Sequence, residues 1–113
     1  MATYERFDVV VVPFPFTDRT AENRRPALVL SSAGDFNAPT KHTVLAMITS
    51  VTEQSWALDV PISNLTASGL SVPCAVRFKL FTLDQRLILR KLGRLASKDR
   101  RAVSAAMKQL FIA

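Results

Sequence analysis

Arg25, the pair Thr49-Ser50, and Arg77 are the residues of this sequence whose types suit a chemical step. Guanidinium groups present planar donor forks to phosphate oxygens and stay charged at physiological pH. Such a set stabilises the extra charge of a phosphorane-like transition state without a metal ion. A threonine hydroxyl beside them hydrogen-bonds a phosphate oxygen or orients an attacking hydroxyl. If the substrate were RNA, the nucleophile would already be present as the 2′-hydroxyl, leaving the protein to position, polarise and transfer protons. Arginines at strand ends are more often structural or solvated, so the set alone leaves that reading open.

Other chemistries find little support. There is no Cys/His cluster for zinc, no spaced acidic cage for calcium or magnesium, no Walker loop and no glycine-rich dinucleotide turn. Neither a metal nor an organic cofactor is expected. A Ser-His-Asp triad would have to use His42, the single histidine, which in Thr40-Lys41-His42-Thr43 reads as a surface residue. The single cysteine, Cys74, lies in Val72-Pro73-Cys74-Ala75-Val76 and reads as a small core residue rather than a nucleophile. It cannot form an internal disulfide, in keeping with a reducing compartment.

Charge narrows the partners. Fifteen basic against nine acidic residues give a net +6. From Arg77 to Arg101 nine basic residues are opposed only by Asp84 and Asp99. That field favours a polyanion or an acidic protein partner, with a solubilising surface as the plain alternative. No apolar run approaches the ~20 residues of a membrane span, and MATYERFD lacks the apolar stretch of a signal peptide. The expectation is a cytoplasmic protein without membrane contact.

The elements that must position these residues are short. At 113 residues, 49% of them apolar, one domain over 1–113 is expected. Val9-Val10-Val11-Val12 suits a buried strand ended by Pro13. A polar loop, Thr17 to Asn23, leads to a second strand over Ala27 to Ser31, with Arg24 and Arg25 at its mouth. Ala33 to Pro39 reads as a loop and Thr43 to Thr49 as a third strand. Trp56, Leu58, Val60 and Ile62 alternate as the inner face of a fourth strand, and Val72 to Leu83 carries a fifth. Ser63 to Ser71 reads as a connection with room for a short helical turn, and Asp84 to Leu95 is ambiguous between strand and helix. Ser97 as N-cap, Asp99 in the first turn, and Val103, Met107, Leu110 and Phe111 on one stripe give an amphipathic helix over Lys98 to Phe111. The pattern predicts an α+β fold: a small, strongly bent antiparallel sheet or partly open barrel with a terminal helix.

In order along the chain, Val9 to Pro15 (VVVVPFP), Arg24 to Ser31 (RRPALVLS), Ala46 to Ser50 (AMITS), Val76-Arg77 with Leu80 to Asp84 (LFTLD), and Leu92 to Leu95 (LGRL) resemble the MazF/PemK family of toxin endoribonucleases. The resemblance implies an SH3-like antiparallel β-barrel of five to seven strands of the CcdB/MazF kind. It also implies a homodimer, inhibited by a cognate antitoxin with an acidic C-terminal tail. The activity implied is metal-independent cleavage of single-stranded RNA, often mRNA, at short motifs, leaving a cyclic phosphate and a 5′-hydroxyl. Arg25 matches the arginine treated as catalytic, Thr49 the second member of the site, and Arg77 an arginine used as general acid or phosphate ligand. Ser50, Arg24, Lys79, Asp18 and Phe16 are assigned to RNA contact, with Phe16 and Phe36 as surfaces for base stacking; core packing is the favoured alternative for Phe16, and Asp18 is also a candidate to replace the missing base.

Two positions depart from the family pattern. Phe7 stands where a glycine normally precedes Asp8. Lys79 stands near where relatives carry a carboxylate that acts as base, and a protonated lysine is a poor base. The second departure keeps a non-catalytic toxin or RNA-binding protein of the same fold, akin to the gyrase poisons, as the alternative.

Overall fold

The structure, a computed structural model, describes residues 3–14, 23–51 and 54–112. Six strands form one curled antiparallel sheet: β1 (Asp8–Phe14), β2 (Asn23–Val29), β3 (His42–Ser50), β4 (Val60–Pro61), β5 (Cys74–Asp84) and β6 (Arg90–Arg94). Their order is β4-β5-β3-β2-β1-β6. The sheet bends into a half-barrel, closed on one face by the terminal helix α3 (Ser97–Phe111).

The valine run of β1 is explained by two cores, one on each face of the sheet. Val9 packs with Leu28, Ala46, Ile48, Val76 and, from α3, Val103 and Ala106. Val10 and Val12 point the other way, onto Ala27, Val29, Leu45, Leu83 and Ile88. A strand buried on both faces has no use for polar alternation, so it reads as a continuous apolar run.

Several local expectations are corrected. β2 begins at Asn23, so Arg24 and Arg25 lie inside the strand, opposite Pro13 and Val12. Pro26 is tolerated because pairing with β3 starts only at Ala27. Ala33 to Pro39 is helical rather than a loop: a wide turn over Ala33–Asn37 runs into α1 (Ala38–Thr40). The fourth strand shrinks to Val60–Pro61, because Leu58 takes a left-handed φ of 67° and Trp56 stands half out in solvent. The ambiguous stretch resolves into a tight turn, Gln85–Leu87, and then β6. Ser97 is not the N-cap; the helix starts at it, and its hydroxyl accepts from Arg100.

Phe7, in the glycine's place, does adopt a glycine-like φ of 75°. Its N–H donates to the Val29 carbonyl, its own carbonyl accepts from Leu95, and its ring packs on the core beside α3. Those contacts hold a conformation that costs an L-residue about 1–2 kcal/mol. A short helix, α2 (Leu65–Ser68), rests backbone to backbone on β6. A Cβ on Gly93 would lie 2.4 Å from the Ala67 carbonyl oxygen, so no larger residue fits there.

Asp99, 2% exposed, accepts from the Ser63 N–H and hydroxyl and from the Asn64 N–H, tying α3 to the chain after β4. Burial alone would raise its pKa, but these bonds and Lys98 outweigh it, leaving it lowered. Asp59 is lowered too, and at the surface Arg86 lowers Asp84 to about 2. A depressed carboxylate pKa contributes stability above the unfolded value of about 4, and that contribution is lost as pH falls through the folded value. The urea midpoint is therefore expected to fall as pH drops below about 4. Asp99→Ala should lower stability by about 1–3 kcal/mol at neutral pH, read by urea denaturation, and weaken that acid dependence.

Candidate active site

β2 and β3 are paired at Ala27–Met47, Leu28–Ala46 and Val29–Leu45, and beyond Ala27 and Met47 they part. β2 continues along β1 as Asn23 to Pro26, whereas β3 continues along β5 as Ile48 to Ser50. A cleft of about 340 Å³ lies where they separate, lined by Phe14, Arg25, Met47, Ile48, Thr49, Arg77, Lys79, Leu80 and Phe81. Three of the expected catalytic residues, Arg25, Thr49 and Arg77, thus meet in one hollow with Lys79. Phe14 carries the Arg25 guanidinium over its ring, 4.8 Å from the centroid, a cation–π contact that restrains a long side chain.

Arg77 and Lys79 reach the cleft through an irregularity in β5. Ala46 pairs with Leu80 but Met47 pairs with Arg77, so Phe78 and Lys79 are two extra residues on β5. One extra residue would exchange the faces of the strand; two preserve them. Phe81, opposite Leu45, and Arg77, opposite Met47, therefore share the cleft face, with Lys79 bulged between them and exposed.

Arg77 is the most constrained member. Its Nε donates to Asp59 Oδ1 at 3.3 Å and its Nη2 to Asp59 Oδ2 at 3.0 Å and to the Gln54 carbonyl. The guanidinium lies 4.9 Å from the centroid of the Trp56 ring. The Trp56 N–H in turn donates to Asp59 Oδ2 at 2.9 Å. Burial would raise the Asp59 pKa, but Arg77 and the Trp56 N–H outweigh it and keep the carboxylate ionised.

Not every expected residue joins the cleft. Arg24 instead lines a neighbouring cavity of about 620 Å³, which Arg25 also borders, together with Arg90, Ser71, Val72 and Cys74 among others. Ser50 pairs with Cys74 at the end of β3 and is not among the cleft's lining residues. Asp18 and Phe16 lie outside the described residues. Phe36 sits in the turn before α1, away from the cleft lining. His42 starts β3, seven residues and so roughly 23 Å along an extended strand from Thr49, which removes it from this chemistry. Cys74 is buried, and burial pushes its thiol pKa up, as suits a core residue. Among the described residues, no three His, Cys, Asp or Glu side chains gather as a metal site.

Sequence reasoning missed Asp59 and Trp56. β4 pairs Val60 with Val76 and Pro61 with Ala75, and extending that register by one residue puts Asp59 opposite Arg77. That signal needed the pairing of two strands 16 residues apart in sequence, which composition does not supply.

The family model for the PemK-like, MazF-like toxin of type II toxin–antitoxin systems matches residues 5–111. The chain belongs to this family. Solved structures of MazF proteins share its fold. A MazE–MazF complex from Deinococcus radiodurans superposes with a TM-score of 0.75 at 19% identity, covering 99% of this chain and 98% of the other. An endoribonuclease from a mycobacterial species in complex with its cognate antitoxin gives 0.73 at 16% identity, covering 96% and 93%. The Mycobacterium tuberculosis toxin MazF-mt6 gives 0.69 at 21% identity, covering 92% and 95%. No curated protein matches the sequence significantly. The MazF-like half-barrel therefore forms here with Phe7 at a left-handed φ and with Lys79 placed by the β5 bulge.

Because Trp56 is the single tryptophan, its emission reports the Arg77 contact. Arg77→Ala uncovers one ring face, and we expect a red-shifted emission maximum in the folded variant. An unshifted maximum would show that the stack does not exist in solution.

Proposed function

We propose that this toxin is a metal-independent endoribonuclease that cleaves single-stranded RNA, mRNA above all, at a short sequence motif through attack of the 2′-hydroxyl. The observation that carries this reading is the convergence of Arg25, Thr49 and Arg77 in one cleft. In the proposed step the 2′-oxygen loses its proton as it bonds to the adjacent phosphorus. The 5′-oxygen departs with a proton, leaving a 2′,3′-cyclic phosphate and a 5′-hydroxyl. Arg25, held over Phe14, donates to the non-bridging oxygens where charge builds up. Thr49 donates to a phosphate oxygen or aligns the 2′-hydroxyl, and Arg77 contacts the phosphate or the leaving group. Lys79, exposed at the cleft edge, takes a neighbouring phosphate.

Arg24, Ser50, Asp18 and Phe16 are proposed to contact the RNA outside the reacting phosphate. Arg24 does so from the second cavity, beside Arg90. The neighbouring MazE–MazF and toxin–antitoxin complexes support a cognate antitoxin as partner, whose acidic tail would occupy the same basic clefts. A cytoplasmic homodimer is proposed on the family pattern. The exposed Leu110, Phe111 and Ile112 at the end of α3 are candidates for part of that interface. No described helix is long and apolar enough to cross a membrane.

A second reading, a toxin of this fold that binds without cutting, is favoured by one observation. Asp59, a carboxylate in contact with the cleft residue Arg77, is bound to it and not placed to act as base. Primer extension on a long RNA incubated with the protein in excess EDTA separates the two. Discrete stops are expected, and Arg25→Ala should lower their rate by about 100- to 1,000-fold while leaving the fold intact. Intact RNA that nevertheless binds with steep salt dependence would establish the second reading. Thr49→Val, close in shape but without the hydroxyl, should lower the rate more than it lowers RNA affinity.

A further inference from the structure

We propose that Asp59 is the positioning residue of the RNA-cleaving step: it fixes the Arg77 guanidinium by its Nε–Nη2 edge and leaves Nη1 for the scissile phosphate. The proposal rests on the endoribonuclease reading and deepens it.

Three observations carry it. First, Asp59 takes Nε and Nη2, and Nη2 also donates to the Gln54 carbonyl, so that among the described residues only Nη1 makes no hydrogen bond, while Arg77 lines the cleft. Second, the pair is mostly withdrawn from water, with side-chain exposures of 12% and 13%. An exposed pair would leave both side chains free to swing, whereas a sheltered two-point contact defines one orientation. Third, the turn that delivers Asp59 is itself specified. Leu58 is held at φ 67° with its side chain on the core, the Trp56 N–H anchors Asp59 Oδ2, and the Trp56 ring flanks the guanidinium. A bulky residue kept in the left-handed region marks a turn whose geometry the surroundings over-determine.

Asp59 is not the base. It is absent from the cleft lining and accepts three hydrogen bonds, two of them from Arg77. It acts through Arg77, so its effect must vanish when Arg77 is gone. A purely structural tie between β4 and β5 would instead act on stability and on every function alike.

The test is a double-mutant cycle of Asp59→Asn and Arg77→Ala on single-turnover cleavage of an RNA oligonucleotide in EDTA, with folding confirmed by circular dichroism. Asp59→Asn is expected to lower kcat about 10- to 100-fold with KM changed less than about threefold. In the Arg77→Ala background the same change is expected to add nothing. Equal, additive losses in both backgrounds overturn the proposal, as does wild-type kcat in folded Asp59→Asn. If Asp59→Asn does not fold, Asp59→Glu takes its place, since it keeps the charge and displaces the guanidinium by one methylene. It should show the same loss of kcat, and wild-type kcat there overturns the proposal. If the wild-type protein leaves RNA whole, the endoribonuclease reading itself has failed. The cycle is then read on Kd for an uncleavable 2′-deoxy oligonucleotide: non-additivity supports the positioning of Arg77, while additivity or no binding overturns it.

Discussion

The separation of β2 from β3 is the constraint on which the site depends. Hydrogen bonding joins the two strands through Ala27 and Met47, and then each follows a different partner, β1 or β5. Two strands that part leave a gap, and the residues on its two lips face each other without competing for one ladder position. Arg25 stands on one lip and Thr49 on the other, each held by a strand paired on its far side. A site built on paired strands is more rigid than one built on loops, which suits chemistry that relies on placement more than on reactive groups. Pro26 belongs to the same arrangement, since a residue without an N–H suits the part of β2 that lacks a β3 partner.

Much of this was legible in the sequence. The RRPALVLS run, the ITS ending of β3 and the VR of β5 supplied Arg25, Thr49 and Arg77, and the apolar stripe supplied α3. The extent of β2 was not legible, because Asn23, Arg24 and Arg25 are turn-like or charged residues in a segment whose partner is the apolar β1. Tertiary pairing there overrode local preference. The fourth strand failed for the opposite reason. Trp56 and Leu58 alternate correctly with Val60 and Ile62, but Trp56 covers Arg77 and Leu58 turns the chain, so periodicity recorded a turn as a strand. Asp59 stayed hidden because its meaning depends on a register between β4 and β5.

Basic charge, continuous in sequence from Arg77 to Arg101, is divided in space. Arg77 and Lys79 face the cleft, while Arg90 lines the cavity that also receives Arg24. Lys91 and Arg94 neutralise the buried Asp8, 3.3 and 3.1 Å from its Oδ1, and Arg86 is bound to Asp84. Part of the positive field therefore holds the fold together, part lies at the two cavities beside β2, and Lys98, Arg100 and Arg101 lie on α3. The adjacent Arg24 and Arg25 show this, since Arg24 lines only the larger of the two cavities whereas Arg25 borders both.

The central claim, that the gap between β2 and β3 holds the reacting phosphate, is tested most directly by a crystal structure with an uncleavable RNA analogue carrying a 2′-deoxy residue at the scissile position. The account predicts the scissile phosphate within hydrogen-bonding distance of Arg25 and Thr49, with Arg77 still clasped by Asp59. An analogue bound elsewhere on the protein, with that cleft empty, would contradict it.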